Sequence, residues 1–302
     1  MKTALVGCAT TPSADPTRTT GIRRSYRLDV QKRFRHIDVL QRKAITTQDV
    51  FGLREPERFT ILQRLPSPRE WAALTTAQQQ AAYMQWIEES RASSFEFTIG
   101  PRGGILTTGP TPRYIRDPVL RTYGRAIVQA DALARRAGIP AATPGPLALP
   151  DFRSVDFVLR EPRHADALQA IFGRNLRELD GVGRAYEQRI QRALADGLAN
   201  NWTPDRIART IREGTKGITG ARAKTMANTE IVRAHAEGTL NRFDQLGVET
   251  VGVVVEMEFT TAGDNRVCAS CEALEGELFT ITEARGVIPV HANCRCRWTP
   301  QI

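Results

Sequence analysis

Residues 264–276 read D-N-R-V-C-A-S-C-E-A-L-E-G, and residues 288–296 read I-P-V-H-A-N-C-R-C. Four of the five cysteines in the chain, Cys268, Cys271, Cys294 and Cys296, sit in this pair of segments with His291 beside them; Cys8 lies far away. Zinc takes four thiolate or imidazole ligands in a tetrahedron. A C-x-x-C turn places two sulfurs on one side of such a site, and an H-x-x-C turn brings the other two ligands from a second knuckle. Five donors compete for four places. Cys268, Cys271, His291 and Cys294 form the expected set, because the His-x-x-Cys turn closes a chelate readily; Cys296, two residues on and on the same face of an extended segment, is the alternative fourth ligand. A disulfide pair and free reduced thiols are the competing readings. With all four places filled by protein, the zinc is expected to be structural rather than catalytic. Gly276 and Gly286 suit tight turns in the connecting segment 274–290, which is long enough for a hairpin or a short helix.

Upstream of the knot, T-V-G-V-V-V-E-M-E-F-T alternates, with Val251, Val253, Val255, Met257 and Phe259 on one side. This predicts a strand with one buried face leading directly into Asp264. Everything before it reads as helix. Between Thr19 and Ile45, Ile22, Tyr26, Val30, Phe34 and Ile37 recur at helical spacing. Further helices are expected over 68–92, over 112–137 with Gly138 as cap, and over 161–173 and 175–199. Another starts with Thr203 as N-cap and Pro204 at the first helical position and stops at Gly214, and a longer one covers 221–246. The chain thus predicts a mainly α fold of the α+β type: helical N-terminal and central regions, then a small strand and Cys/His knuckle. The expected organisation is a flexible arm over 1–18, a basic helical region over 19–138, a Pro/Ala linker over 139–152, and a domain over 153–302 with its knuckle at 264–298.

The charge is unevenly placed. The chain carries 42 Lys+Arg against 33 Asp+Glu, a net +9, made of +10 in residues 1–150 and −1 in the remainder. Arg23, Arg24, Arg27, Lys32, Arg33 and Arg35 are the densest part. Such a surface attracts nucleic acid or an acidic protein face, although a helix's solvated face has the same composition. No apolar run is long enough to span a membrane. The apolar stretch before Cys8 is about five residues, short of the roughly 7–15 of a secretory signal.

The joint occurrence of T-E-I-V-R-A, D-N-R-V-C-A-S-C-E-A-L-E-G and H-A-N-C-R-C resembles the tailed-phage head morphogenesis proteins, the minor head proteins similar to the phage Mu F protein. The resemblance covers about 165–302 and is sharpest over 222–302. It implies a virion component inside the capsid, associated with the portal and other capsid proteins and linked to assembly, packaged double-stranded DNA or its delivery, with no small-molecule substrate and no membrane. Carried across, the motif marks Arg222, Thr229, Glu230, Arg233, Asp264, Arg266 and Gly276 as structural positions, with a buried Glu230–Arg contact expected to lock the long helix against the knot.

Three rival classes remain. Glu256-Met257-Glu258 has the E-x-E form used by some ADP-ribosyltransferases, but outward positions on a strand normally carry solvated charge. A zinc-supported nuclease needs a further His or Asp beside a hydrolytic metal, and His291 is the sole histidine of the knot; His164 and His235 read as packing or surface residues of helices. A DNA-binding regulator would need base-reading side chains on the basic N-terminal helix.

Overall fold

A computed structural model describes residues 15–54, 68–98, 100, 111–139, 159–249 and 255–301. In order these form α1 (Thr20–Arg42), a π-helical turn (Lys43–Thr47), α2 (Pro68–Ala72), α3 (Thr76–Phe95), α4 (Arg113–Arg136), α5 (Pro162–Ala199), α6 (Pro204–Gly217), a second π-helical turn (Ile218–Arg222), α7 (Ala223–Glu249), β1 (Glu256–Thr260), α8 (Ala269–Glu272), β2 (Leu278–Thr280), α9 (Ile281–Ala284) and β3 (Arg297–Gln301). The fold is mainly helical with a three-stranded antiparallel sheet, order β2-β1-β3, at the C-terminal end. Among the described residues no helix is long and apolar enough to cross a membrane.

The helical periodicity of α1 is realised: Tyr26, Val30, Phe34 and Ile37 are fully buried. The expected helix over 68–92 is two helices. Thr75 accepts a hydrogen bond from the Gln78 backbone while the Gln78 side chain accepts from the Thr75 N–H, a reciprocal cap that starts α3 afresh. Conversely, the break expected between 173 and 175 does not occur, and α5 runs unbroken for 38 residues. Glycine lowers helix propensity by only about 1 kcal/mol and does not remove a backbone donor, so Gly173 is carried through. The same holds at Gly214, since α6 continues to Gly217. Its start is as expected, with Thr203 accepting from the Arg206 N–H and Pro204 first in the helix. Gly138 takes the left-handed conformation (φ +79°) just after α4.

The chain divides into two compact units, each drawn from separate stretches: Met1–Tyr26, Ile115–Phe172 and Thr225–Ile302 in the first, Arg27–Tyr114 and Gly173–Lys224 in the second. Residues 19–138 and 153–302 therefore each contribute to both units. Most of the expected arm, the expected linker beyond Ile139, and Val251 and Val253 of the expected strand lie outside the described residues.

The second unit is centred on aromatic side chains. Phe34 packs edge-on against Phe95 (centroids 4.8 Å apart) and beside Tyr186 (5.4 Å), and Phe51 lies against Tyr83 (5.3 Å). Arg91 is 3% exposed yet bonded to Glu187 (2.6 Å) and Asp180 (3.3 Å), which satisfies a charge that would otherwise be costly to bury.

The first unit packs α4 and α7 against the sheet. Val232, Ala236, Leu240 and Phe243 of α7 join Ala130 and Ala134 of α4, Met257 and Phe259 of β1, and Trp298 of β3. Phe259 and Phe279 both meet the Trp298 ring edge-on, at 5.6 and 5.4 Å. Val255, Met257 and Phe259 face this core as the alternation predicts, while Glu256 is exposed and Glu258 half-buried.

Candidate metal centre

Cys271, Cys294 and Cys296 belong to that same core cluster and are 1–3% exposed. They reach it by two turns. The first runs from Cys268 into α8, with the Cys271 and Glu272 N–H groups donating to the Cys268 carbonyl (3.0 and 2.9 Å). The second is the H-A-N-C turn, closed by the Cys294 N–H on the His291 carbonyl (3.1 Å). Between them Gly276 (φ +81°) and Gly286 (φ +80°) occupy left-handed turns that a side chain would strain. The Gly276 N–H donates to the Phe259 carbonyl (2.9 Å), fastening the first knuckle to β1.

His291 Nε2 lies 3.1 Å from Cys268 Sγ and 3.2 Å from Cys271 Sγ, and Cys271 Sγ lies 4.0 Å from Cys294 Sγ. The donors form two overlapping triads, Cys268–Cys271–His291 and Cys271–Cys294–Cys296, each with its ligand atoms within 4.8 Å of one another. Cys271 is the shared member. Zinc bonds of about 2.3 Å to sulfur and 2.0 Å to nitrogen, meeting tetrahedrally, separate ligand atoms by roughly 3.5–3.8 Å, and the three separations here, 3.1, 3.2 and 4.0 Å, lie on either side of that range. The four described cysteines are free thiols. His291 Nδ1 donates to the Ala292 carbonyl (2.8 Å), leaving Nε2 aimed at the sulfurs, which is how ligating histidines are oriented.

Electrostatics divides the thiols. The Cys271 N–H and neighbouring donors hold the Cys268 thiol below the usual range. Its hydrogen bond with Cys296 brings Cys294 down to about 5, and the same bond, with burial, drives Cys296 up. Burial pushes Cys271 up to about 12. The carbonyl of Ala292 raises His291. Within this hydrogen-bonded pair the Cys294 thiol is thus shifted toward ionisation and the Cys296 thiol away from it. The donor set fits a soft, tetrahedral ion.

The remaining motif residues brace this cluster. Asp264 receives both guanidinium nitrogens of Arg295 (2.6 and 2.5 Å), plus the Arg266 N–H (3.0 Å) and side chain (3.1 Å). Those bonds, Arg295 first, hold its carboxyl well below the usual range. Arg295 separates Cys294 from Cys296, so the clamp joins the two knuckles. Glu230 is buried and stands 3.7 Å from Arg233, whereas Arg222 is exposed in the second π turn.

The contact that holds α7 to the knot joins Thr229, one of the motif positions, to residues the sequence did not single out: Asn293, Thr225 and Asn228. The Asn293 N–H donates to Thr229 Oγ1 (3.1 Å), its amide donates to Thr225 Oγ1 (3.2 Å), and it accepts from the Asn228 amide (2.8 Å). Asn293 is left-handed (φ +63°). The signal was present in T-M-A-N-T, whose Thr225, Asn228 and Thr229 share a helix face at i, i+3 and i+4.

Of the basic residues, Arg23 is buried and paired with Asp15 (2.8 Å), and Arg33 is paired with Glu96 (2.8 Å) and lies over the Tyr114 ring (3.6 Å). Arg27 is half-buried; Arg24, Lys32 and Arg35 are exposed. His164 and His235 are buried packing residues: His164 bonds Tyr123 (3.0 Å) and Gln245 (3.3 Å), and His235 bonds Gln129 (2.8 Å). Glu258 accepts from the Gln301 side chain.

Residues 188–299 match the family model described as phage Mu protein F like protein. Neither a curated protein nor a solved structure matches the chain. The matched span begins within α5, takes in α6, α7 and the whole Cys/His cluster, and ends in β3. The resemblance read from the motifs is thereby borne out over this span: residues 188–299 are similar to the phage Mu F-like proteins.

Proposed function

We propose that the chain is a structural minor head protein of a tailed phage or prophage, lodged inside the capsid near the portal and contributing to capsid assembly and to DNA packaging or delivery. The observation that carries this reading is the coincidence of the family match with the braced cluster: the matched span contains all five candidate ligands and the Asp264, Thr229 and Asn293 contacts that position them. Cys268, Cys271, His291 and Cys294 would hold a zinc ion, with Cys296 as the alternative fourth ligand. A zinc ion there supplies a cross-link between two turns, with every place taken by protein. Asp264 and Arg295 keep the turns in register, and Asn293 anchors them on α7. The exposed cations of α1 favour an anionic neighbour, the portal surface or packaged duplex DNA. The chain binds no small-molecule substrate and catalyses no reaction in this account. It belongs to the virion, passing through the host cytoplasm during assembly.

The test is assembly of particles with Cys268→Ser/Cys271→Ser in place of the native chain. Incorporation into heads is expected to fall sharply; normal incorporation of a metal-free chain would count against the reading. Deleting residues 1–50 is expected to change particle composition or DNA retention, and no change in either would remove the role given to the basic segment.

A further inference from the structure

The outer stripe of α1 carries a pattern that solvation alone does not explain. Leu28, Lys32, Arg35, Val39 and Arg42 follow one another at spacings of four, three, four and three, the seam of a helix that packs against another helix. All five are exposed, and Leu28 and Val39 are 43% and 52% exposed despite being apolar. Among the described residues Lys32, Arg35 and Arg42 make no ion pair within 4 Å, although Arg42 lies near enough to the Asp38 carboxylate to favour its charged form. All of these residues belong to the second unit.

Beside the seam lies a groove of about 200 Å³, between the C-terminal half of α1, the first π turn and α6. Val39, Ile45, Ala208 and Ile211 give it an apolar floor, and Arg35, Arg42 and Arg212 ring it with positive charge. Asp38 also lines it, but is engaged from within by the Tyr186 hydroxyl (2.6 Å) and the Gln41 amide (3.2 Å). That second bond fixes the orientation of the Gln41 amide: its nitrogen faces Asp38, so its oxygen is the free end. Gln41 is 4% exposed and lines the groove, and its Oε1 is buried without a partner. That oxygen has almost no accessible surface, so what the groove offers a partner is its apolar floor and its ring of positive charge.

We propose that this seam and groove dock an acidic amphipathic helix of a partner protein, with apolar side chains on Leu28 and Val39 and carboxylates on Lys32, Arg35, Arg42 and Arg212. Duplex DNA would satisfy the cations but offers nothing to the apolar positions or to a groove sized for a side chain. The inference sharpens the charge attraction proposed above by choosing protein over DNA for this face.

The test uses the full chain and a fluorescent helical peptide with leucine at the seam positions and glutamate flanking them, compared with a 20-base-pair duplex. The peptide is expected to bind, to lose at least tenfold in affinity on Val39→Glu, and to lose similarly on Arg35→Glu/Arg42→Glu. That double variant should instead bind the matching leucine–lysine peptide. All three positions are exposed, so the variants are expected to keep the wild-type circular dichroism. Duplex binding without peptide binding, or peptide binding that Val39→Glu leaves unchanged, overturns the proposal. Either result leaves the head-protein reading standing, because that is tested separately through the cysteines.

Discussion

Replacing Asn293 separates two things the knuckle demands of one residue. Its backbone sits at φ +63°, where an ordinary side chain costs roughly 1–2 kcal/mol. Its side chain makes two hydrogen bonds, to Thr225 and from Asn228. These are solvent-exposed, so about 0.5 kcal/mol each, at the lower end of the usual range, is appropriate. Asn293→Ala forfeits both and strains the turn, for a loss of about 2 kcal/mol, roughly a 30-fold change in the folded ratio. Asn293→Gly forfeits the same bonds but relieves the strain, for about 1 kcal/mol plus a few tenths from the freer unfolded chain. Asn293→Asp keeps the acceptor for Asn228 and tolerates the left-handed region, and should lose least. Denaturant unfolding of the metal-loaded chain, with the rate of metal transfer to a chromogenic chelator as second readout, should therefore rank wild type, Asp, Gly and Ala in falling order. Equal stability of the Gly and Ala variants would refute the backbone argument. Loss confined to Ala, with Gly and Asp like wild type, would refute the latch.

Cys296→Ser should keep its metal and lose about 1–3 kcal/mol from placing a hydroxyl among apolar neighbours, whereas Cys271→Ser, which removes the sulfur common to both triads, should bind no metal; metal analysis of the two proteins checks this. Burial lowers His235 to about 4 from an ordinary 6.5. Between those values the unfolded chain binds the proton and the folded chain does not, so this contribution is whole above pH 6.5 and is lost as pH falls toward 4, by about 3 kcal/mol at most. Subtracting the acid limb of His235→Gln from that of wild type should isolate the slope, and identical limbs would contradict it. A Cβ on Gly183 would stand 2.7 Å from Arg91 Cδ, and Arg91 is held by Glu187 and Asp180, so Gly183→Ala should destabilise by roughly 1–3 kcal/mol in thermal unfolding.

What the sequence made legible follows from the range of each signal. Tyr26, Val30, Phe34 and Ile37 announce α1 because burial repeats with the helix period, and Thr203-Pro204 announces α6 because capping is a matter of adjacent residues. Arg23 shows the limit of reading charge as surface. It lies three residues before Tyr26, on the buried spine, and its counter-charge, Asp15, sits before the helix begins. The break placed between 173 and 175 and the stop assigned to Gly214 failed because packing overrides a small propensity penalty, while the Thr75/Gln78 cap was readable and decisive. The Cys/His convergence was visible in spacing alone. The bracing was not, since Asp264 meets Arg295 and Thr225 meets Asn293 only once the sheet and α7 have brought distant segments together. The buried Arg242–Asp131 pair (2.5 Å) is of the same kind.

X-ray absorption at the zinc edge, with metal stoichiometry measured on the same purified full-length chain, tests the central claim most directly. The account predicts one zinc per chain with three sulfur neighbours at about 2.3 Å and one nitrogen at about 2.0 Å. A chain that binds no metal, or one whose zinc carries oxygen ligands in place of the thiolates, would contradict it.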